Sequence, residues 1–360
     1  MNKKFIVTAM GLVLAGGMGL ANADVKLYGQ LDMSIDATDV DGGDDDVNMG
    51  SNRSAIGFKG AEDLGNGLSA FFKVEYQTDL DDEGFAPGTN EDDTNNNKKD
   101  GASGATADGW KSRDQYIGLK MKRFGKLTFG QMSTAYKSPA SKLDPFYRTR
   151  NQARNVGIQS SLHKGKGNEG QGRATNTVRY DSPKFMGGAK VFGTYTLDND
   201  KNDGDDDDPY SVGTSYKAGN IYAFASYITT QQTGDNEAYQ FGGKYTWNDA
   251  SFWGIYEFDK GMITKIGAGS QVAADDGADV WSVGASYTIG NNLVSFDYGQ
   301  GDSNDVVAEY AVWRLGAQHK FSNRTKVYAT FSEQDYDQND LGGGKDGEVD
   351  IFSLGMRHNF

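Results

Sequence analysis

Residue types that carry covalent chemistry are scarce or scattered in this 360-residue chain. Cysteine is absent, and the three histidines, His163, His319 and His358, fall on separate stretches. There is no phosphate-cradling glycine loop and no nucleophile elbow, and a hydrolytic nucleophile needs a histidine within reach. The chain therefore reads as a non-enzyme. What it does carry is clustered charge. Between Met132 and Gly172 the cations Lys137, Lys142, Arg148, Arg150 and Arg154 outnumber the acids Asp144 and Glu169. In a narrow, water-filled passage such charges act at short range, are weakly screened, and set which ions enter. A different cluster, DNDKNDGDDDDP, looks faintly like a calcium loop, with Asp198, Asp200 and Asn202 at alternate positions. Its glycine falls one residue late and Pro209 stands at the twelfth position, so it is no formal calcium hand. Asp198, Asp200, Asp205 and Asp206 remain candidates for loose divalent-cation binding only, and no metal centre or cofactor is expected.

The elements that must position these charges are strands. In LSAFFKVEYQ, Ala70, Phe72, Val74 and Tyr76 share one face, while Ser69, Lys73, Glu75 and Gln77 share the other with Phe71. In FWGIYEFD, Phe252, Tyr256 and Phe258 oppose Glu257 and Asp259. Period-2 alternation of this kind is the strand signature. The last residues repeat it: Phe352, Leu354, Met356, His358 and Phe360 alternate with small or polar neighbours to the end of the chain. In NRSAIGFKG, Ile56 and Phe58 take the apolar side, which turns Arg53 and Lys59 to the other; in RATNTVRY, Arg173, Thr175, Thr177 and Arg179 share one side.

Connectors come in two kinds. Short ones such as Leu64–Gly67 and Arg123–Gly125 alternate with long aspartate-rich ones: Asp39–Asn52, Leu80–Gly109, Asn199–Pro209, Gly261–Gly277 and Asp335–Glu348. A membrane barrel has this asymmetry, with tight periplasmic turns and long outer loops. Candidate strands from Val25 to Phe360 number about sixteen, an even count with both ends on the short-turn side. Residues 1–23 have the plan of an export leader, with Lys3 and Lys4, an apolar run from Phe5 to Leu20, and Ala21 and Ala23 at the cleavage site. The expectation is an all-β transmembrane antiparallel barrel over residues 24–360, exported by its leader. A formal charge of −14 argues against a nucleic-acid partner. The stretch Met132–Gly172 is too long for an ordinary connection, and Tyr136, Leu143, Phe146 and Tyr147 give it something to bury.

These residues resemble the trimeric general porins of Gram-negative outer membranes. VKLYGQLDMSID is similar to the first strand of that family, SAIGFKGAEDLGNGLSAFFKVEY to its second hairpin, NTVRYDSPKFMGG to the strand after the third loop, and LGMRHNF to the terminal strand. The resemblance implies a sixteen-stranded barrel, a homotrimer, and a third loop (132–172) folded into the lumen as a constriction. It points to Arg53, Lys73, Glu75, Arg113, Arg173 and Arg179 on the constriction wall, and to Lys137, Lys142, Asp144, Arg148 and Arg150 on the loop. Arg113 has the family spacing before GLK, although Ile117 and Leu119 share its alternation phase; the family's arginine near Arg53 falls two residues on, at Ala55. Phe360, His358 and Met356 resemble the tag read by the β-barrel assembly machinery. Other implied partners are outer-membrane lipid and lipopolysaccharide, small solutes and ions. The expected function is passive diffusion of small hydrophilic solutes and ions. The alternatives are an anion-preferring porin of the same fold, and an adhesion or structural barrel with acidic surface loops.

Overall fold

The computed structural model describes residues 24–41, 43, 45–80, 110–164, 166–167, 172–197, 208–229, 236–263, 265–266, 270–271, 277–303, 309–337 and 347–360. Residues 1–23, the expected export leader, together with Glu169 and the loop acids Asp198, Asp200, Asp205 and Asp206, lie outside them. Strands run β1 (Asp24–Val40), β2 (Asp46–Ser51 continued by Ala55–Gly65), β3 (Leu68–Thr78), β4 (Trp110–Met121) and β5 (Gly125–Ser133). After a short helix α1 (Lys137–Ala140) come β6 (Arg173–Asp181), β7 (Ala189–Thr196), β8 (Tyr210–Ala218), β9 (Ile221–Thr229) and β10 (Glu237–Trp247). The remainder are β11 (Ala250–Lys260), β12 (Ala278–Ile289), β13 (Asn292–Ser303), β14 (Glu309–Lys320), β15 (Thr325–Asp337) and β16 (Gly347–Asn359). Each pairs antiparallel with its neighbours, and β1 pairs with β16 from Gln30↔Asn359 to Val40↔Val349, so the sixteen strands close. Closure leaves no unpaired edge, the condition for a sheet in lipid.

The chain end is part of that closure. Phe360 N donates to Gly29 O at 3.0 Å, Gly29 N donates back to Phe360 O at 3.1 Å, and the Phe360 ring lies over Gly29, where any Cβ would meet it at 2.1 Å. Alternation sorts the two faces as expected: Leu354 and Met356 are each 51% exposed on the outside, while Ser353 and Arg357 on either side of them are buried inside. The tight turn at Asn66–Gly67 takes positive φ at both residues (51° and 76°), as a twisted two-residue hairpin requires.

Apart from a register shift at Asp63–Gly65 beside the β2–β3 turn, regular pairing fails at three neighbouring places on the wall. β2 is broken at Asn52–Ser54, where side chains replace the ladder: Asn52 Nδ2 donates to Ser34 Oγ (2.6 Å) and Asp32 N donates to Ser54 Oγ (2.9 Å). Arg53 sits in the break at φ 58°, a left-handed conformation that costs a non-glycine residue about 1 kcal/mol or more. Between β3 and β4 the register shifts from Val74↔Gln115 to Tyr76↔Ser112, so Glu75 faces both Arg113 and Asp114. Between β5 and β6 it shifts again, from Gly130↔Thr177 to Met132↔Ala174, with Asn176 at φ 48°.

Candidate functional site: a charged constriction inside the barrel

The bulge in β4 is what builds the site. An extra residue flips the alternation phase, so Arg113 turns inward while Ile117, 63% exposed, stays on the outer face. This removes the phase conflict visible in the sequence. Gln131 steadies the bulge by donating Nε2 to the carbonyls of Ser112 and Arg113. Glu75 then accepts from Arg113 Nε at 2.6 Å, lies 3.1 Å from Lys73 Nζ, and meets Arg148 Nη2 of the loop at 3.5 Å. Asp114, the second residue of the bulge, pairs with Lys73 Nζ (2.7 Å) and Arg173 Nε (3.0 Å).

The loop after β5 reaches this wall by crossing the interior. Ala135 N donates to Ser211 Oγ on β8 (3.0 Å), and Tyr136 is wholly buried. Glu257, on the inner face of β11, accepts from Tyr136 Oη (3.1 Å), Ser160 N (2.9 Å), Ser160 Oγ (2.7 Å) and His163 Nε2 (2.9 Å). Arg314 on β14 is fully buried between Asp144 Oδ1 (3.0 Å) and Asp297 Oδ2 (2.8 Å), and donates to Asn151 O (2.6 Å). Phe146 packs where only Gly316 leaves room, its ring 2.2 Å from the position of a Cβ there. Further on, Asn151 Nδ2 donates to Ile351 O (2.8 Å) and Arg357 Nη2 donates to Tyr147 O (3.0 Å). The loop is thus pinned to β8, β11, β14 and β16 and presents its arginines to β2–β6.

The expected site residues separate on this frame. Arg53, Lys73, Glu75, Arg113, Arg148 and Arg173 come together, joined by the buried Lys137 and Arg154 of the loop. Burial lowers the Lys137 ammonium well below its ordinary value, and the fields of Arg154, Arg173, Arg53 and Arg113 push the same way. Burial alone would raise the Tyr147 phenol, yet the guanidiniums of Arg154, Arg148, Arg113 and Arg173 bring it below its usual range. Arg154 also lies over the Tyr147 ring, 5.0 Å from its centroid. Arg179 stands apart, held by Asp181 (2.9 Å) and donating to Ser133 O (2.9 Å) at the root of the loop. Arg150 holds the loop through its backbone carbonyl, which accepts from Asn155 Nδ2 (2.9 Å).

Two loop residues depart from the expectation. Asp144 does not line a passage: its side chain is 1% exposed, spent on Arg314 and on the backbone N–H groups of Phe146 and Ala153. Lys142 points away from the Glu75 cluster to the Tyr222 ring, 4.7 Å off, near the short turns. Sequence reasoning missed Asp114, Asp297 and Arg314. Asp297 and Arg314 each sit between outward aromatic or aliphatic residues, an inward-charge signal, but their mutual register is not written in either strand. Asp114 was hidden because strict alternation cannot turn two consecutive residues inward, and choosing Arg113 for the lumen sends Asp114 outward; the bulge lets both face Glu75.

A closed antiparallel barrel with an apolar exterior, a charged interior and a loop pinned across that interior is a membrane-spanning channel. A family model for Gram-negative porins matches residues 8–340, and the chain belongs to that family. Its relatives include the major outer membrane protein P.IB of Neisseria meningitidis serogroup B, 27% identical over 380 residues and covering 98% of each chain. An outer membrane porin protein of Bordetella pertussis is 26% identical over 393 residues, covering 99% of this chain and 90% of its own. In fold, the chain is similar to an anion-selective porin from Comamonas acidovorans (TM-score 0.72, 20% identity, 94% of this chain and 100% of that one). It also resembles Salmonella typhi OmpF (TM-score 0.65, 18% identity, 93% and 97%). The protein is an outer-membrane diffusion channel for small hydrophilic solutes and ions.

Proposed function

We propose that this channel passes small anions in preference to cations, with selection made between the pinned loop and the β2–β6 wall. The observation that carries the reading is charge imbalance: Arg53, Lys73, Arg113, Arg148, Arg154 and Arg173 cluster around Glu75 and Asp114. Lys73 and Arg113 balance the two carboxylates, which leaves the remaining cations in excess. The partly exposed members, Arg148 (22%) and Arg173 (12%), are the ones a passing ion meets. The acidic outer loops oppose this field, but mobile salt screens them beyond about 8 Å, whereas a constriction holds the ion within contact range. The fold relative from Comamonas is itself described as anion-selective. Recording the reversal potential of purified channels in a potassium chloride gradient tests the reading. A sign favouring chloride is expected, and a strong potassium preference would refute it.

The homotrimer and the terminal tag belong to the same proposal. OmpT of Vibrio cholerae, similar in fold, is described in a trimer form, and Met356, His358 and Phe360 stand exposed at the short-turn rim. Deleting Phe360 is expected to lower the amount of heat-modifiable trimer recovered from outer membranes, together with its lipid and lipopolysaccharide. Wild-type yield would remove the tag from the reading.

A further inference from the structure

Toward the short-turn end, the inner wall carries cations that the constriction does not use. Cross-strand register places Lys217 (β8), Tyr222 (β9), Lys244 (β10) and Trp253 (β11) opposite one another in turn, one row across four adjacent strands. Directly opposed residues share a face, and Tyr222 and Trp253 are buried inside against Ala140 and Leu143 of the loop, so the lysines face inward too. Lys190 (β7) stands one rung nearer mid-membrane, opposite Ser215. The row adjoins the turns after β8 and β10, the periplasmic side of a barrel with short periplasmic turns.

Two of the ammoniums, those of Lys142 and Lys244, are held against aromatic rings. Lys142 Nζ lies 4.7 Å from the Tyr222 ring centroid and Lys244 Nζ 5.2 Å from that of Trp253. The rings themselves are fixed: Tyr222 Oη donates to Pro139 O (3.2 Å) and Trp253 Nε1 donates to Asp297 Oδ1 (3.0 Å). Among the described residues none of Lys142, Lys190, Lys217 and Lys244 is in an ion pair. Asp181 and Asp297, whose fields reach Lys142 and Lys244, are already engaged, Asp181 by Arg179 and Asp297 by Arg314. Burial, then the fields of Lys190 and Lys217, hold the Lys142 ammonium below its ordinary value. Four like charges without a counter-charge repel one another, and an anion seated among them relieves that repulsion. Strands are spaced about 5 Å apart, so Lys217 and Lys244, two strands apart, sit at a span suited to a solute with more than one negative group.

We propose that this lysine–aromatic row is a second anion station, on the periplasmic side of the constriction, for small solutes bearing two or more negative charges. It does not depend on the constriction's own ion preference. The test is single-channel recording with inorganic pyrophosphate added to one side of the bilayer at a time. Wild type is expected to be blocked at lower concentration from one side than from the other. Lys217→Gln with Lys244→Gln is expected to raise the half-blocking concentration on that side by about tenfold, as loss of two partly screened charge contacts predicts. The chloride-to-potassium reversal potential should barely move. Lys142→Gln, made on the loop, gives the same direction should the double variant fail to insert. Equal block from both sides, or unchanged block in conducting variants, would overturn the station. A potassium-preferring wild type that still shows one-sided block would refute the constriction reading and leave the station standing.

Discussion

The two flanks of the constriction loop are both built from buried or half-buried charge, but they settle it in opposite ways. Against β11 and β14 the charges are matched. Glu257 takes hydrogen bonds from Tyr136, Ser160 and His163, and Arg314, 0% exposed, is closed between Asp144 and Asp297. Against β2–β6 the cations outnumber Glu75 and Asp114, and Lys73, Asp114, Arg148 and Arg173 stay 12–22% exposed to the lumen above the buried Glu75 and Arg113. A matched, dry pair holds a segment in place because removing either partner strands a buried charge. An unmatched, wet cluster holds less and attracts more. One flank therefore anchors the loop, and the other is the filter we propose.

That division can be broken from the anchor side first. Arg314→Met leaves Asp144 and Asp297 buried together without a counter-charge, and should cost about 3–5 kcal/mol. Urea unfolding of the purified barrel would measure this, and an unchanged midpoint would deny Arg314 its anchoring role. Glu257→Gln keeps the shape but weakens hydrogen bonds made to a charged acceptor, with an expected loss of roughly 1.5–3 kcal/mol. Its signature should be excess open-channel noise, since the segment around Ser160 and His163 is freed while the filter is left intact.

On the filter flank the order of effects reverses. Arg148→Gln with Arg173→Gln should change stability by less than about 1 kcal/mol, because partly exposed pairs contribute little. The chloride-to-potassium permeability ratio should nonetheless fall several-fold, read from the reversal potential; a stability loss rivalling that of Arg314→Met would erase the comparison. The smallest expected effect is a pH trend. The Tyr147 phenol, whose ordinary value is about 10, is brought lower by its arginine neighbours. As pH rises through the shifted value a negative charge appears beside Arg154 and Arg148, so anion preference should decline in alkali. Tyr147→Phe should flatten that decline, and an identical pH profile in the variant would assign it to another group.

How far each of these residues was legible depends on whether alternation survives around it. Lys73, Glu75 and Glu257 keep strict phase with outward aromatics, so their inward direction could be read directly. Arg113 could not be read this way, because its phase matches that of Ile117 and Leu119 until the bulge adds a residue. Arg53 reaches the same cluster through a break in β2 that Asn52 and Ser54 fill with side-chain hydrogen bonds, a device that no periodicity announces. Asp144 looked like the acid of the filter and is instead half of the anchor, since its partner Arg314 lies 170 residues away in sequence.

Local pattern was enough for the class of sheet, the alternation of short turns and long loops, the apolar alternation running to Phe360, and an excess of cations on one loop. Those are properties of neighbouring residues, and the period of a strand and the chemistry of a turn express them locally. Which charges meet was settled by the closed fold. Register between strands and the path of a loop across a barrel arise from packing summed over the whole closed sheet. A single inserted residue in β4 is enough to exchange lipid for lumen.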